Sequence, residues 1–166
     1  DTLIFRSPTC TGTDQEAAYE LAAIAGIDPE EYAAEMFAAG SNLSSRTPEE
    51  IFYQDFKKFV VNEVSFGVGQ INSMTQKDLD DVRERLVPYM EKALTSHAIP
   101  MLFFMLTNIP QGTTELLCAG TGARELARQA FHLEGEEGAI ILANTVSRKK
   151  QLIPALMQAI QQGRNV

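Results

Sequence analysis

Cysteine is nearly absent: Cys10 and Cys118 stand alone, without CxxC or any other metal-ligand spacing. A disulfide framework needs more of them, so two isolated thiols read as buried or idle. Histidine is equally scarce. His97 and His132 fall near predicted helix ends with no second histidine or carboxylate at ligand spacing, which favours surface or capping roles over metal binding. Long apolar runs are missing too. The longest, residues 99–106, falls well short of the roughly 20 residues that span a bilayer. No charged-then-apolar leader opens the sequence, and a cytoplasmic protein without a membrane partner is the expectation. There is no Walker loop and no GxSxG, Gly120-Thr121-Gly122 reads as a turn, and no repeat or low-complexity tract occurs.

What is present is the balance of an ordinary globular chain, with 45% hydrophobic and 22% charged residues in 166. That length suits one cored domain, or one domain plus part of a neighbour. The sequence opens at Asp1 without a methionine and runs straight into Leu3-Ile4-Phe5, so we expect the natural protein to extend further upstream. Net charge is −8, a sign that repels nucleic acid unless the basic residues are concentrated. They are. Residues 1–60 hold 4 basic against 11 acidic side chains and residues 61–166 hold 10 against 11, and the single three-residue basic run is Arg148, Lys149 and Lys150.

Local signals divide the chain near residue 46. Thr13-Asp14-Gln15-Glu16 predicts a capping box and a helix ending at Gly26. Asp28-Pro29-Glu30-Glu31 predicts a second helix, stopping near Gly40. Residues 41–46 read as a polar linker, after which Thr47-Pro48-Glu49-Glu50 starts a short third helix. From Asp55 the pattern changes. Val64, Phe66 and Val68 alternate with Ser65, Gly67 and Gly69 as in a strand buried on one face, and residues 56–61 supply its partner. Thr75 and Asp78 can cap a helix to about Leu94, with Leu79, Val82, Leu86 and Met90 on one side and Pro88 as a possible kink. Residues 101–106 read as a central strand covered on both faces. Two shorter strands, 113–119 and 139–143, flank a helix around 123–131. A last helix carries Leu152, Ile153, Leu156, Met157 and Ile160 on one face. The result is an α/β fold: a mixed sheet layered by helices on both faces, preceded by a small helical segment.

The chemistry converges on one place. Pro154 fits the first turn of the last helix, which puts Arg148, Lys149 and Lys150 at or just before its N-terminus. Cations there oppose the helix dipole by about 0.3 to 1 kcal/mol each. An anion would reverse that sign, with free amides, an arginine fork and ammonium groups converging on it. A solvated basic loop pairing with residues 134–137 accounts for the composition equally well. Lys57 and Lys58 form a second basic pair whose side chains point to opposite faces of a strand, so at most one can reach a shared cleft.

The run Ser147-Arg148-Lys149-Lys150-Gln151, between Val146 and Pro154, closely resembles the signature of the family II, manganese-dependent inorganic pyrophosphatases of the DHH phosphoesterase superfamily. The resemblance extends over essentially the whole chain. The first eleven residues, from Asp1 to Thr11, look like the segment closing that family's catalytic domain, and the helix pair ending in Ala38-Ala39-Gly40 with Leu43-Ser44 also fits. Asp55-Phe56-Lys57-Lys58-Phe59 resembles the D-x-K-x-F opening of the C-terminal domain. Gly69-Gln70-Ile71-Asn72-Ser73 is similar to a conserved strand end of that domain.

The resemblance implies a division into residues 1–46, a remnant of the catalytic domain plus linker, and residues 47–166, the substrate-binding domain. It implies that Lys57, Arg148 and Lys149 clamp pyrophosphate or phosphate, with Ser147, Lys150 and Gln151 shaping the loop. Asp1 takes the place of a manganese ligand. The family's H-N-x-D-x-D and D-H-H motifs, which supply the rest of the metal site, do not occur in this chain. The full-length enzyme would use manganese or cobalt, with magnesium on the substrate and metal-activated water attacking in line. It would be a homodimer joined through parts this chain lacks. The chain by itself is expected to hold no metal tightly, to bind phosphate or pyrophosphate weakly and to hydrolyse neither. Polyphosphate or short oligonucleotides as substrates, or a plain anion-binding module, are the competing readings. A regulatory nucleotide-binding insert upstream, as some relatives carry, is left open by the sequence.

Overall fold

In the computed structural model, residues 2–40, 43–135 and 138–163 are described. Two helices, α1 (Gly12–Ala25) and α2 (Pro29–Gly40), come first, followed by the short α3 (Pro48–Gln54). The capping box of α1 lies two residues upstream of its expected place. Thr11 accepts from the Asp14 amide, and the Asp14 carboxylate returns to the Thr11 amide at 2.8 Å. Both threonines match the same pattern; the helix begins at Gly12, so Thr13 falls inside its first turn. Asp28 caps α2 through the amides of Glu30 and Glu31, and Thr47 with Glu50 forms the expected box on α3.

A five-stranded mixed sheet in the order β1-β2-β3-β4-β5 forms the body. Its strands are β1 (Lys57–Val61), β2 (Val64–Ser73), β3 (Met101–Asn108), β4 (Thr113–Ala119) and β5 (Ile140–Ala143). β2 and β3 are parallel, joined through α4 (Gln76–His97); the other neighbouring pairs are antiparallel. Every residue of β3 is buried, as its unbroken apolar sequence requires. Leu79, Val82, Leu86 and Met90 of α4 pack with Ile51 and Phe52 of α3 against Ile71, Leu102, Phe104 and Leu106. The opposite sheet face, with Phe66, Val68, Phe103, Met105 and Leu116, is covered by α5 (Ala123–Ala130) and α6 (Ile153–Gln162). Pro88 lies inside α4 without ending it, and the helix runs on to His97, with Ala98 left-handed at its cap.

Two expectations need correction. β2 is buried on both faces, not one. The side occupied by Gly67 and Gly69 is filled by aromatic rings of Phe56 and Phe104, so the glycines make room rather than face water. The basic run lies just before the last helix, as expected, but as a helical turn and not as a loop. Arg148–Leu152 is a π-helical turn that leads directly into α6, with the amides of Leu152 and Ile153 bonded five residues back, to Ser147 and Arg148. An α-helical turn there would press the Pro154 ring onto the carbonyl of Lys150, and the wider turn relieves that contact.

The linker is anchored to the α/β body. Leu43 is buried in the α3–α4 core, and Arg85 of α4 donates to the carbonyls of Arg46 and Leu43 at 2.7 and 3.0 Å. By contrast α1 and α2 are thinly covered, with Ala22 the one buried residue among their described side chains.

Candidate functional site

Strand alternation sorts the two lysines of β1. Lys57 shares its face with Phe59 and Val61, which pack on the α5–α6 side. Lys58 takes the opposite face, where its ammonium reaches the His97 carbonyl at 3.3 Å. Lys57 is therefore the lysine on the side of the π turn. It is exposed, and it stands two residues after Asp55, which lines a cleft of about 400 Å³ together with Gln70, Asn72 and residues 146–150. Leu3, Ser7 and Thr9 of the N-terminal segment close another side. Lys57 itself is not among the lining residues. Asp1 lies outside the described residues.

Within the turn the three cations differ. Lys149 and Lys150 are exposed, and neither is in an ion pair among the described residues. Arg148 is held: its side chain is 11% exposed, Nη2 lies 2.9 Å from Asp55 Oδ1, and Nη1 donates to the Asp55 carbonyl. The alternative of a basic loop paired with residues 134–137 finds no support in the part of that segment described, because the ion pair of the run is with Asp55.

The expected cradle of free amides is largely occupied by protein. Gln151 Oε1 accepts from the amides of Val146 and Ser147, both at 3.0 Å, while its Nε2 donates to the Asn144 carbonyl. Ser147 Oγ accepts from the Lys150 amide at 3.2 Å, and Gln70 Oε1 from that of Arg148 at 3.3 Å. Among the described residues, the Lys149 amide alone of these has no partner. Ser147 and Gln151 thus shape the backbone, and an anion in the cleft would meet ammonium groups and one guanidinium rather than a ring of amides.

Two participants carried no assignment in the sequence, although both fall inside quoted motifs. Asp55 opens the D-x-K-x-F segment and holds Arg148. Gln70, at the end of β2, donates through Nε2 toward the Val146 carbonyl (2.9 Å), Thr107 Oγ1 (3.1 Å) and Asn72 Oδ1 (3.2 Å). The signal available was the placement of Gln70 and Asn72, polar and alternating, at the end of an otherwise apolar strand.

A metal site does not assemble from these residues. Among the described residues, no group of three or more His, Cys, Asp or Glu side chains could hold a metal ion, and the cleft's one acidic lining residue, Asp55, is committed to Arg148. No described helix is long and apolar enough to cross a membrane.

Comparison with known proteins places this arrangement. The chain is 40% identical over 162 residues to a manganese-dependent inorganic pyrophosphatase from Methanothrix thermoacetophila, covering 97% of this chain and 52% of that protein. It is 40% identical over 160 residues to a cobalt-dependent inorganic pyrophosphatase from Clostridium perfringens, covering 96% of this chain but 29% of the relative. A solved Methanococcus jannaschii structure assigned to the family II inorganic pyrophosphatases superposes with a TM-score of 0.81 at 34% identity, over 96% of this chain and 52% of the other. The chain thus spans about half the length, or less, of the relatives it matches. A family model described as the DHHA2 domain matches residues 34–159, from α2 through the sheet and the basic turn to α6, and the chain belongs to the DHHA2 domain family.

Proposed function

We propose that this chain is the substrate-clamping part of a manganese- or cobalt-dependent inorganic pyrophosphatase, which hydrolyses pyrophosphate to two phosphates. The observation that carries the reading is the cleft itself. Lys149 and Lys150 stand unpaired among the described residues at its rim, with Arg148 fixed in its wall, in a chain whose net charge is −8. A local reversal of sign of this kind favours a small polyanion. The similarity to pyrophosphatases over nearly the whole chain supports pyrophosphate as that polyanion.

In this reading Arg148 and Lys149, with Lys57 from the same side of the sheet, bind and orient pyrophosphate and offset its charge. Ser147, Lys150 and Gln151 keep the turn in shape. Residues 1–46 are the close of the catalytic domain and the linker, and residues 47–166 the substrate-binding domain. The described residues do not fit a metal, so the metal ligands belong to parts of the protein beyond them, with Asp1 a candidate contributor. Magnesium accompanying the substrate, a cytoplasmic location and a homodimer formed through other parts of the protein complete the proposal. Nucleic acid is not a partner in it.

The test is titration of the chain with pyrophosphate, phosphate and a short single-stranded oligonucleotide. Pyrophosphate should bind most tightly, and Lys149→Ala should weaken it about tenfold, the loss of one charge-assisted contact. Equal affinity for all three ligands, or no effect of the substitution, would sink the reading. Phosphate release in the presence of manganese should be absent; metal-dependent turnover, once contaminating pyrophosphatase is excluded, would overturn the assignment of the metal site to other parts of the protein.

A further inference from the structure

An acidic residue in the wall of a cationic cleft works against the anion, unless it does something else there. Asp55 offers two oxygens to the Arg148 guanidinium, one from its side chain and one from its backbone, across 93 residues of sequence. The pair is lopsided: the Arg148 side chain is 11% exposed and that of Asp55 47%. Arg148 is the member that could not be sheltered without a partner. The other end of the residue is fixed independently, through the bond from its amide to Gln70 Oε1.

The orientation of the Gln70 amide is itself determined. Thr114 Oγ1 donates to the Thr145 carbonyl, which uses its one proton. The contact between Thr114 and Thr107 at 2.9 Å must then be donated by Thr107, and Thr107 can only accept from Gln70 Nε2. Gln70 is thereby obliged to turn its NH2 toward Thr107 and the Val146 carbonyl and its oxygen toward the Arg148 amide. The hydrogen-bond relay runs across β2, β3 and β4 and ends on the segment that leads into the turn.

We propose that Asp55 and Gln70 are positioning residues of the anion site, Gln70 fixing the backbone of Arg148 and Asp55 its guanidinium, so that one arm of the clamp is set in place before the anion arrives. The proposal rests on the reading of the cleft as an anion site. It divides the labour among the cations. Arg148 presents a fixed set of remaining N–H donors, while Lys149, exposed and in no ion pair among the described residues, adapts to the ligand. Pre-ordering one arm removes its rotamer cost from the binding step.

Two substitutions separate positioning from simple electrostatics. Asp55→Asn keeps an acceptor oxygen for Nη2 and removes the negative charge, whereas Asp55→Ala removes both. Calorimetric titration with sodium pyrophosphate at fixed salt, on variants whose circular dichroism matches the unaltered chain, should show Asp55→Ala about tenfold weaker and Asp55→Asn as tight or tighter. If Asp55 acts only through its charge, both variants bind more tightly. That result overturns the proposal, as do two unchanged affinities or two equal losses. Should Asp55→Ala fail to fold, Arg148→Lys carries the test: lysine keeps the charge but cannot engage both Asp55 oxygens as the fork does, so about tenfold weaker binding is expected and undiminished binding overturns the idea. Absence of pyrophosphate binding by the unaltered chain overturns the anion-site reading and this proposal together; binding that Asp55→Ala leaves intact overturns this proposal alone.

Discussion

Gly69 lies flat against Phe104: a Cβ placed on the glycine would stand 2.3 Å from ring atom Cε2 and 2.5 Å from Cδ2. The ring is fully buried, packed with the side chains of the α3–α4 layer. Gly69→Ala should therefore destabilise the fold by about 1 to 3 kcal/mol through overpacking. A urea denaturation midpoint equal to that of the unaltered chain would show that the strand can shift to admit the methyl group.

The contrast between β2 and β3 shows what the sequence disclosed. β3 was legible because an unbroken apolar run has one economical place, the middle of a sheet. β2 was misread on one side because glycine carries no record of which side chain fills the space above it. The capped starts of α2, α3 and α4 were readable, since a cap is a contact between residues two or three apart. The π turn and the held arginine were not. The partners of the arginine, Gln70 and Asp55, lie 78 and 93 residues away, and no local pattern announces them; Pro154 is visible beside the turn, but the helical form it selects is not. The identities of the cations in the candidate site were visible in the sequence; the difference between the fixed arginine and the two lysines, which are in no ion pair among the described residues, required the fold.

Arg85 holds the linker by two hydrogen bonds to backbone carbonyls, and both are charge-assisted. Arg85→Ala should cost about 1 to 3 kcal/mol and release residues 43–46 from α4. Limited proteolysis is the direct measurement, with new cleavage near the linker appearing well before the α/β body is cut. Unchanged cleavage kinetics would mean that burial of Leu43 alone secures this segment.

Cys118 sits partly buried on β4, its thiol donating weakly toward the Leu116 carbonyl at 3.8 Å. Burial pushes its pKa up to about 12, with Arg124 pulling it down, Glu125 up and Arg128 down by smaller amounts. Almost no thiolate exists at pH 8, and the thiolate is the nucleophile. Iodoacetamide at pH 8 should leave Cys118 unmodified in the folded chain and alkylate it once urea unfolds the protein, as mass spectrometry of the peptides would show. Rapid labelling of Cys118 under native conditions would contradict the burial argument.

His97 closes α4 among aromatic rings, with Phe56 at 4.9 Å and Phe52 at 6.2 Å between centroids, and with the Tyr53 hydroxyl 2.8 Å from Nε2. Burial lowers its pKa below the usual 6.5, and the Lys58 ammonium, bonded to the His97 carbonyl, lowers it further. The unfolded chain then takes up the proton more readily than the folded one. Stability from this group is complete above pH 6.5 and is lost as pH falls from there toward the depressed value. The capping carboxylates Asp14 and Glu50, lowered by hydrogen bonds from Thr11 and Thr47, act in a separate window, below about pH 4. The melting temperature should therefore decline in two stages on acidification. His97→Phe, which keeps a ring in place and cannot titrate, should remove the first stage and leave the second. A first stage that persists in that variant would assign the loss to another group.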